Sequence, residues 1–150
     1  DVGCGLGYIV SALRILGVEA YGVDVSAYAV KNGLAHVREH IKEGDIRQLP
    51  FKDNSFDLVT SFDVLEHIYR DDIPKAIAEC TRVSSKFQFH KIYTTENRAL
   101  HKLHGTDLSH VSVFDKVWWQ KLWKEQKLKM VNKWWPKLPE SVDTSYLLEK

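Results

Sequence analysis

The residues that could do chemistry begin at once. Asp1-Val2-Gly3-Cys4-Gly5-Leu6-Gly7 sets three glycines at alternate positions just ahead of an apolar helical run. Glycines in such a loop permit a tight turn and let the backbone approach a ligand, while the helix start offers free N–H groups. Taken alone, the loop is weak evidence, since a mere tight turn would use the same glycines. It does not stand alone: Asp24 closes the next β-rich run, Glu19-Ala20-Tyr21-Gly22-Val23-Asp24, where a carboxylate accepts from both hydroxyls of a ribose. The pair indicates a nucleoside cofactor, and the loop spacing discriminates among these. A dinucleotide loop reads G-x-G-x-x-G, and its third small residue would fall on Tyr8; here the third glycine is Gly7. A bulky Tyr8 would also crowd the helix–strand contact that the dinucleotide motif keeps small.

Asp1 to Gly7 resembles motif I of class I S-adenosylmethionine-dependent methyltransferases, and Gly22-Val23-Asp24-Val25-Ser26 resembles the acidic motif that follows it. Gly44-Asp45-Ile46 with Leu49-Pro50-Phe51 is similar to their adenine-contacting motif. The run from Phe56 to Ile68 resembles their fourth-strand signature in the type 11-like subgroup, which methylates diverse small molecules. Four motifs in the right order cover about the first half of the chain. The resemblance implies S-adenosylmethionine as cofactor and a small-molecule acceptor methylated at O, N or C. It also assigns roles. Asp1 faces the cofactor's ammonium. Gly3 and Gly5, with Cys4 and Gly7 in the same loop, give close backbone approach to the methionine part. Asp24, with Val25 beside it, holds the ribose, and Asp45 accepts from the adenine amino group with the Ile46 N–H on the ring. Ser61 and Phe62 orient the amino acid end and wall the site. Each acidic residue has a plainer alternative as a solvated loop carboxylate or helix cap.

Methyl transfer from a sulfonium is an in-line displacement, so catalysis rests mostly on alignment in a dry site. A base is needed only where the acceptor arrives protonated with a high pKa. The candidates are His67, just past the fourth strand, and the carboxylate–imidazole pair Asp107 and His110 in Asp107-Leu108-Ser109-His110. A structural histidine and an Asx-type turn with a surface histidine are the competing readings. No metal site is expected. A second function remains open: a non-catalytic methyltransferase-like binding or assembly module.

These residues need elements to hold them. Ile9 to Leu16 reads as a helix stopped by Gly17, and Ser26 caps a second helix running to about His36 or His40. Short strands are expected around Glu43–Ile46 and over Phe56–Ser61, then a helix over Asp71–Val83 with Ile73, Ile77 and Cys80 or Val83 on one face. Lys86 to Tyr93 alternates as a half-exposed strand. No Pro-Gly-Gly turn precedes it; Arg82-Val83-Ser84-Ser85-Lys86 stands there instead. A helix over Phe114–Gln126 and strands over Met130–Trp135 and Ser145–Leu148 follow. The pattern predicts an α/β fold: a Rossmann-like, doubly wound, mostly parallel sheet with an antiparallel C-terminal strand pair, in three α/β/α layers. The 150 residues read as a single S-adenosylmethionine-binding domain lacking most of the first strand and, by the resemblance, the N-terminal lid helix.

Composition narrows the partners. A hydrophobic fraction of 44%, 27% charged residues and a net charge of +1 describe a globular domain without a dominant polyanion partner. Cys4 and Cys80 are far apart with no metal-ligand spacing, and no apolar run approaches a membrane span, so a reducing, cytoplasmic setting is expected. All five tryptophans, Trp118, Trp119, Trp123, Trp134 and Trp135, lie among lysines near the C-terminus. One tryptophan stripe is expected to pack on the sheet, with nucleic-acid contact disfavoured and a homodimer through this segment the alternative use.

Overall fold

A computed structural model describes residues 1–95, 107–131 and 144–150. Helix α1 spans Tyr8–Ile15 and starts on Gly7, whose φ of 85° lies in the left-handed region that favours glycine. A Cβ there would also run into the Ile41 side chain. Strand β1 is Gly22–Asp24, followed by α2, Ala27–Lys31, capped by the Ser26 hydroxyl accepting from the Ala29 N–H at 3.2 Å. The sequence pattern carried α2 to His36 or His40; it stops at Lys31, where the Asn32 side-chain amide donates to the Tyr28 carbonyl and Gly33 follows. A separate 3₁₀ turn over Arg38–His40 then leads into β2, Ile41–Glu43, so this strand ends just before Gly44-Asp45-Ile46 rather than running through it.

Strand β3 spans Phe56–Phe62, and helix α3, Ile73–Val83, buries Ile73, Ala76, Ile77, Cys80 and Val83 on one stripe, with Pro74 in its first turn. The missing Pro-Gly-Gly has a simple consequence: α3 passes directly into β4, Ser84–Lys91. Helix α4, Lys116–Glu125, is capped by the Asp115 carboxylate, which accepts from the Trp118 N–H at 2.7 Å. Strands β5, Lys129–Met130, and β6, Ser145–Glu149, complete the described elements. Trp134, Trp135 and the rest of the strand expected over Met130–Trp135 beyond Val131 lie outside the described residues.

The strands line up as β2-β1, then β3-β4-β6-β5, and Val2 joins the two groups by parallel bridges to Val23 and Ser61. β1 with β2 and β3 with β4 are parallel; β6 runs antiparallel to both β4 and β5. This is the doubly wound sheet with its antiparallel C-terminal pair. Two apolar clusters form around it. One joins Val10 of α1 to Ala20, Val37 and Ile41; the larger joins α3, α4 and the sheet through Val59, Ile77, Trp119, Trp123 and Leu148.

β4 alternates as expected, but its polar side faces inward. Gln88 and His90 are fully buried, while Phe87 and Phe89 are half-buried. The inward groups satisfy one another in one direction. Thr81 donates to the Ile77 carbonyl and accepts from the Gln88 amide, whose oxygen accepts from His90 Nε2; Nδ1 is then left to accept from Ser61. Trp123 stacks on the His90 ring at 5.6 Å and 11°, so the tryptophan stripe of α4 packs on the sheet.

Candidate active site

The chain leaves the middle of the sheet at Val2 and turns through Gly3, whose φ is 73°. A Cβ on Gly3 would collide with the Val64 side chain, so glycine keeps this loop tight against the segment after β3. Asp24, at the carboxyl end of β1, fixes the loop from the other side. One carboxylate oxygen accepts from the Gly5 N–H at 2.7 Å and the other from the Ser26 N–H at 2.8 Å. Each oxygen keeps a second lone pair for an outside donor.

Between these walls lies a cleft of about 250 Å³ lined by Gly3, Asp24, Val25, Asp45, Ile46 and His67, with Val64, Arg47, Tyr69 and Asp72 among its other walls. It opens beyond the carboxyl ends of β1 and β2, beside the point where the strand order reverses, the place where open α/β sheets bind ligands. The expected ribose and adenine residues therefore share one cleft. Others stand outside its lining. Asp1 accepts from the Thr60 hydroxyl at 2.8 Å and lines a separate pocket at the opposite strand ends, with Tyr21, Phe56 and Val59. Cys4 is buried, with burial pushing its thiol up to about 11, and Gly5 and Gly7 shape the loop from behind. Ser61 points to His90, and the Phe62 ring packs on Phe89 at 5.4 Å.

Asp45 lines the cleft, but its carboxylate is engaged by the Arg47 guanidinium and backbone N–H, which hold it below the usual carboxylate range. Arg47 also reaches Asp72 at 2.8 Å. Sequence reading passed over Arg47; the only local signal is its position two residues after Asp45, since Asp72 comes from a distant turn.

The three catalytic candidates do come together. His67 Nδ1 lies 3.1 Å from both the Ser109 carbonyl and the Ser109 hydroxyl. A carbonyl only accepts, so in the neutral ring Nδ1 carries the proton and Nε2 is left with a lone pair. Ser109 donates onward to Asp107 at 2.6 Å through its hydroxyl and at 2.9 Å through its N–H, and these bonds hold the Asp107 carboxyl low. His110 Nε2 sits 3.6 Å from Asp107, and its ring meets that of His67 edge-on at 4.8 Å. Glu66 was missed. Flanked by Leu65 and His67 it reads as a surface residue, yet it is fully buried, with Oε1 accepting from the Tyr93 N–H and Oε2 without a hydrogen-bond partner among the described residues. Burial pushes its carboxyl up.

A glycine loop, an acid at the carboxyl end of β1 and a cleft at the reversal point of the sheet define a doubly wound, Rossmann-like α/β domain. A family model described as a methyltransferase domain matches residues 1–86, and the chain belongs to that family. It is 33% identical over 106 residues to a ubiquinone biosynthesis O-methyltransferase of Methylococcus capsulatus, covering 67% of this chain and 44% of the relative. It is likewise 33% identical over 93 residues to norajmaline N-methyltransferase of Rauvolfia serpentina, covering 57% of this chain and 31% of that protein. The chain spans 38% to 58% of the length of the first curated relatives it matches. The fold is that of magnesium protoporphyrin IX methyltransferase from Synechocystis with bound SAH, with a TM-score of 0.74 at 20% identity over 99% of this chain and 71% of that one.

Proposed function

We propose that the chain carries out S-adenosylmethionine-dependent methyl transfer to a small-molecule acceptor. The observation that supports this best is the single cleft lined by Gly3, Asp24, Val25, Asp45 and Ile46 with His67 on its wall. The residues fit the cofactor: Gly3 keeps the floor open where a side chain would close it, and Asp24 retains a lone pair on each oxygen for the ribose hydroxyls. Val25 and Ile46 wall the nucleoside, and Asp45, steadied by Arg47, lies on the adenine side. Asp1, Cys4, Gly5, Gly7, Ser61 and Phe62 contribute through the loop and strand ends that place these groups.

When bound, S-adenosylmethionine supplies an electrophilic methyl group on a sulfonium. The chain's own part is alignment and exclusion of water, with His67 Nε2 placed to take a proton from an O–H or N–H acceptor. Asp107 steadies the resulting imidazolium through Ser109, and His110 flanks it. Calorimetric titration with S-adenosylhomocysteine, on the protein in its natural sequence context, tests the reading. Saturable binding is expected, weakened at least about tenfold (about 1.4 kcal/mol) in Asp24→Ala. Absence of binding would overturn it.

The non-catalytic reading draws on the same geometry, since Asp24 and Asp45 are already bonded within the chain. It predicts no methyl transfer to any acceptor even where the homocysteine product binds.

A further inference from the structure

Glu66 presents a problem that neither the fold nor the cofactor cleft resolves. A carboxylate taken out of water needs a compensating charge or hydrogen bonds to both oxygens. Glu66 is fully buried, Oε1 has the Tyr93 N–H at 3.0 Å, and Oε2 has no hydrogen-bond partner among the described residues. Beside it stand two imidazoles from segments far apart in sequence. One ligand-type atom from each of Glu66, His67 and His110 lies within 4.8 Å of the other two.

From this convergence we propose that Glu66, His67 and His110 form a binding site for a divalent transition-metal ion at the edge of the cleft. The sequence reading expected no metal, because Glu66 and His67 are adjacent while His110 arrives only by tertiary folding. Two imidazoles and one carboxylate are a donor set suited to zinc, iron, cobalt or nickel rather than to magnesium or calcium, which prefer all-oxygen shells. The required adjustment is small. Nitrogen and oxygen ligands around a tetrahedral ion sit roughly 3.4 Å apart, for bonds of about 2.1 Å. The triad therefore closes by at most about 1.4 Å, through the exposed His67 ring and the exposed turn that carries His110.

Supporting groups are in place. The Ser109 carbonyl accepts a hydrogen bond from His67 Nδ1–H, which leaves Nε2 free as a ligand, and Asp107 stands beside His110. Such outer partners fix ring orientation at metal sites. Asp63 lies close in sequence but is not a ligand: its carboxylate pairs with Lys91 at 2.7 Å on the exposed surface. Three protein ligands leave coordination positions open, and His67 lines the cleft, so the open side faces the space in which an acceptor would lie; with the ion bound, His67 Nε2 is a ligand and no longer a proton acceptor.

The test uses Co²⁺ as a probe on chelator-treated protein without a polyhistidine tag, followed by calorimetry and visible absorption. One Co²⁺ per chain is expected, with d–d bands of a low-coordinate nitrogen–oxygen site and weak competition from Mg²⁺. His110→Ala and Glu66→Gln should each weaken binding at least about tenfold, while Asp63→Asn and His36→Ala leave it unchanged. Thermal melting of each variant reports folding; if Glu66→Gln does not fold, the half-exposed His110 decides the matter. Absence of stoichiometric binding, binding indifferent to His110→Ala, or binding lost in Asp63→Asn would overturn the proposal. The readout needs neither cofactor nor acceptor, so it stands or falls apart from the methyl-transfer reading.

Discussion

At the scale of single residues, the buried histidine of β4 has a consequence for stability. Burial holds His90 neutral, with its pKa lowered from 6.5 to about 3. The unfolded chain therefore binds a proton between these values that the folded chain refuses. Stability contributed by neutral His90 is full above pH 6.5 and is lost as pH falls toward 3. The slope from this one group approaches about 1.4 kcal/mol per pH unit inside that window. Urea unfolding at a series of pH values should show it, and His90→Asn should have a flatter profile below pH 6.5 at the cost of lower stability at neutral pH. An unchanged profile would mean that the ring is not held neutral. Residue types exposed the glycine loop, Asp24 and the histidines before any fold was known, because their chemistry is local. Glu66 and Arg47 were not legible. What makes Glu66 consequential is burial against Tyr93 and the turn over 107–112, and what fixes Arg47 is Asp72, 25 residues away.

At the scale of elements, termini were readable wherever a cap or stop residue sat at the boundary. Gly17 ends α1, Ser26 starts α2 and Pro74 stands in the first turn of α3. The length of α2 was misjudged because Leu34 and Val37 continue an apolar pattern past Lys31; both are used, but by a turn packing on α1 and β2 instead of by a helix. Which face of β4 is buried could not be read either. Alternation fixes the period, but Thr81 of α3 and Trp123 of α4 cover the side carrying Gln88 and His90, and the closed network from Thr81 to Ser61 makes that burial tolerable. Helix α4 itself depends on its cap. Asp115→Ala removes the acceptor of the Trp118 N–H and should lower stability by about 1 kcal/mol, measured by chemical unfolding at pH 7. A loss near zero would show that burial of Trp119 and Trp123 alone holds the helix in place.

At the scale of the whole molecule, the alternation of strands and helices announced a parallel sheet, and the two late strands without a helix between them announced its antiparallel end. The strand order places Val2 between β1 and β3, and the cleft follows from that placement: the chain must turn at Gly3 just where the order reverses. This cleft, and not the pocket at the opposite strand ends, is expected to receive the cofactor. Amide ¹H–¹⁵N spectra recorded during a titration with S-adenosylhomocysteine test it most directly. Saturable shifts are expected to concentrate at Gly3, Gly5, Asp24, Val25, Asp45 and Ile46. Shifts concentrated instead at Tyr21, Phe51 and Phe56, or no saturable shifts at all, would contradict it.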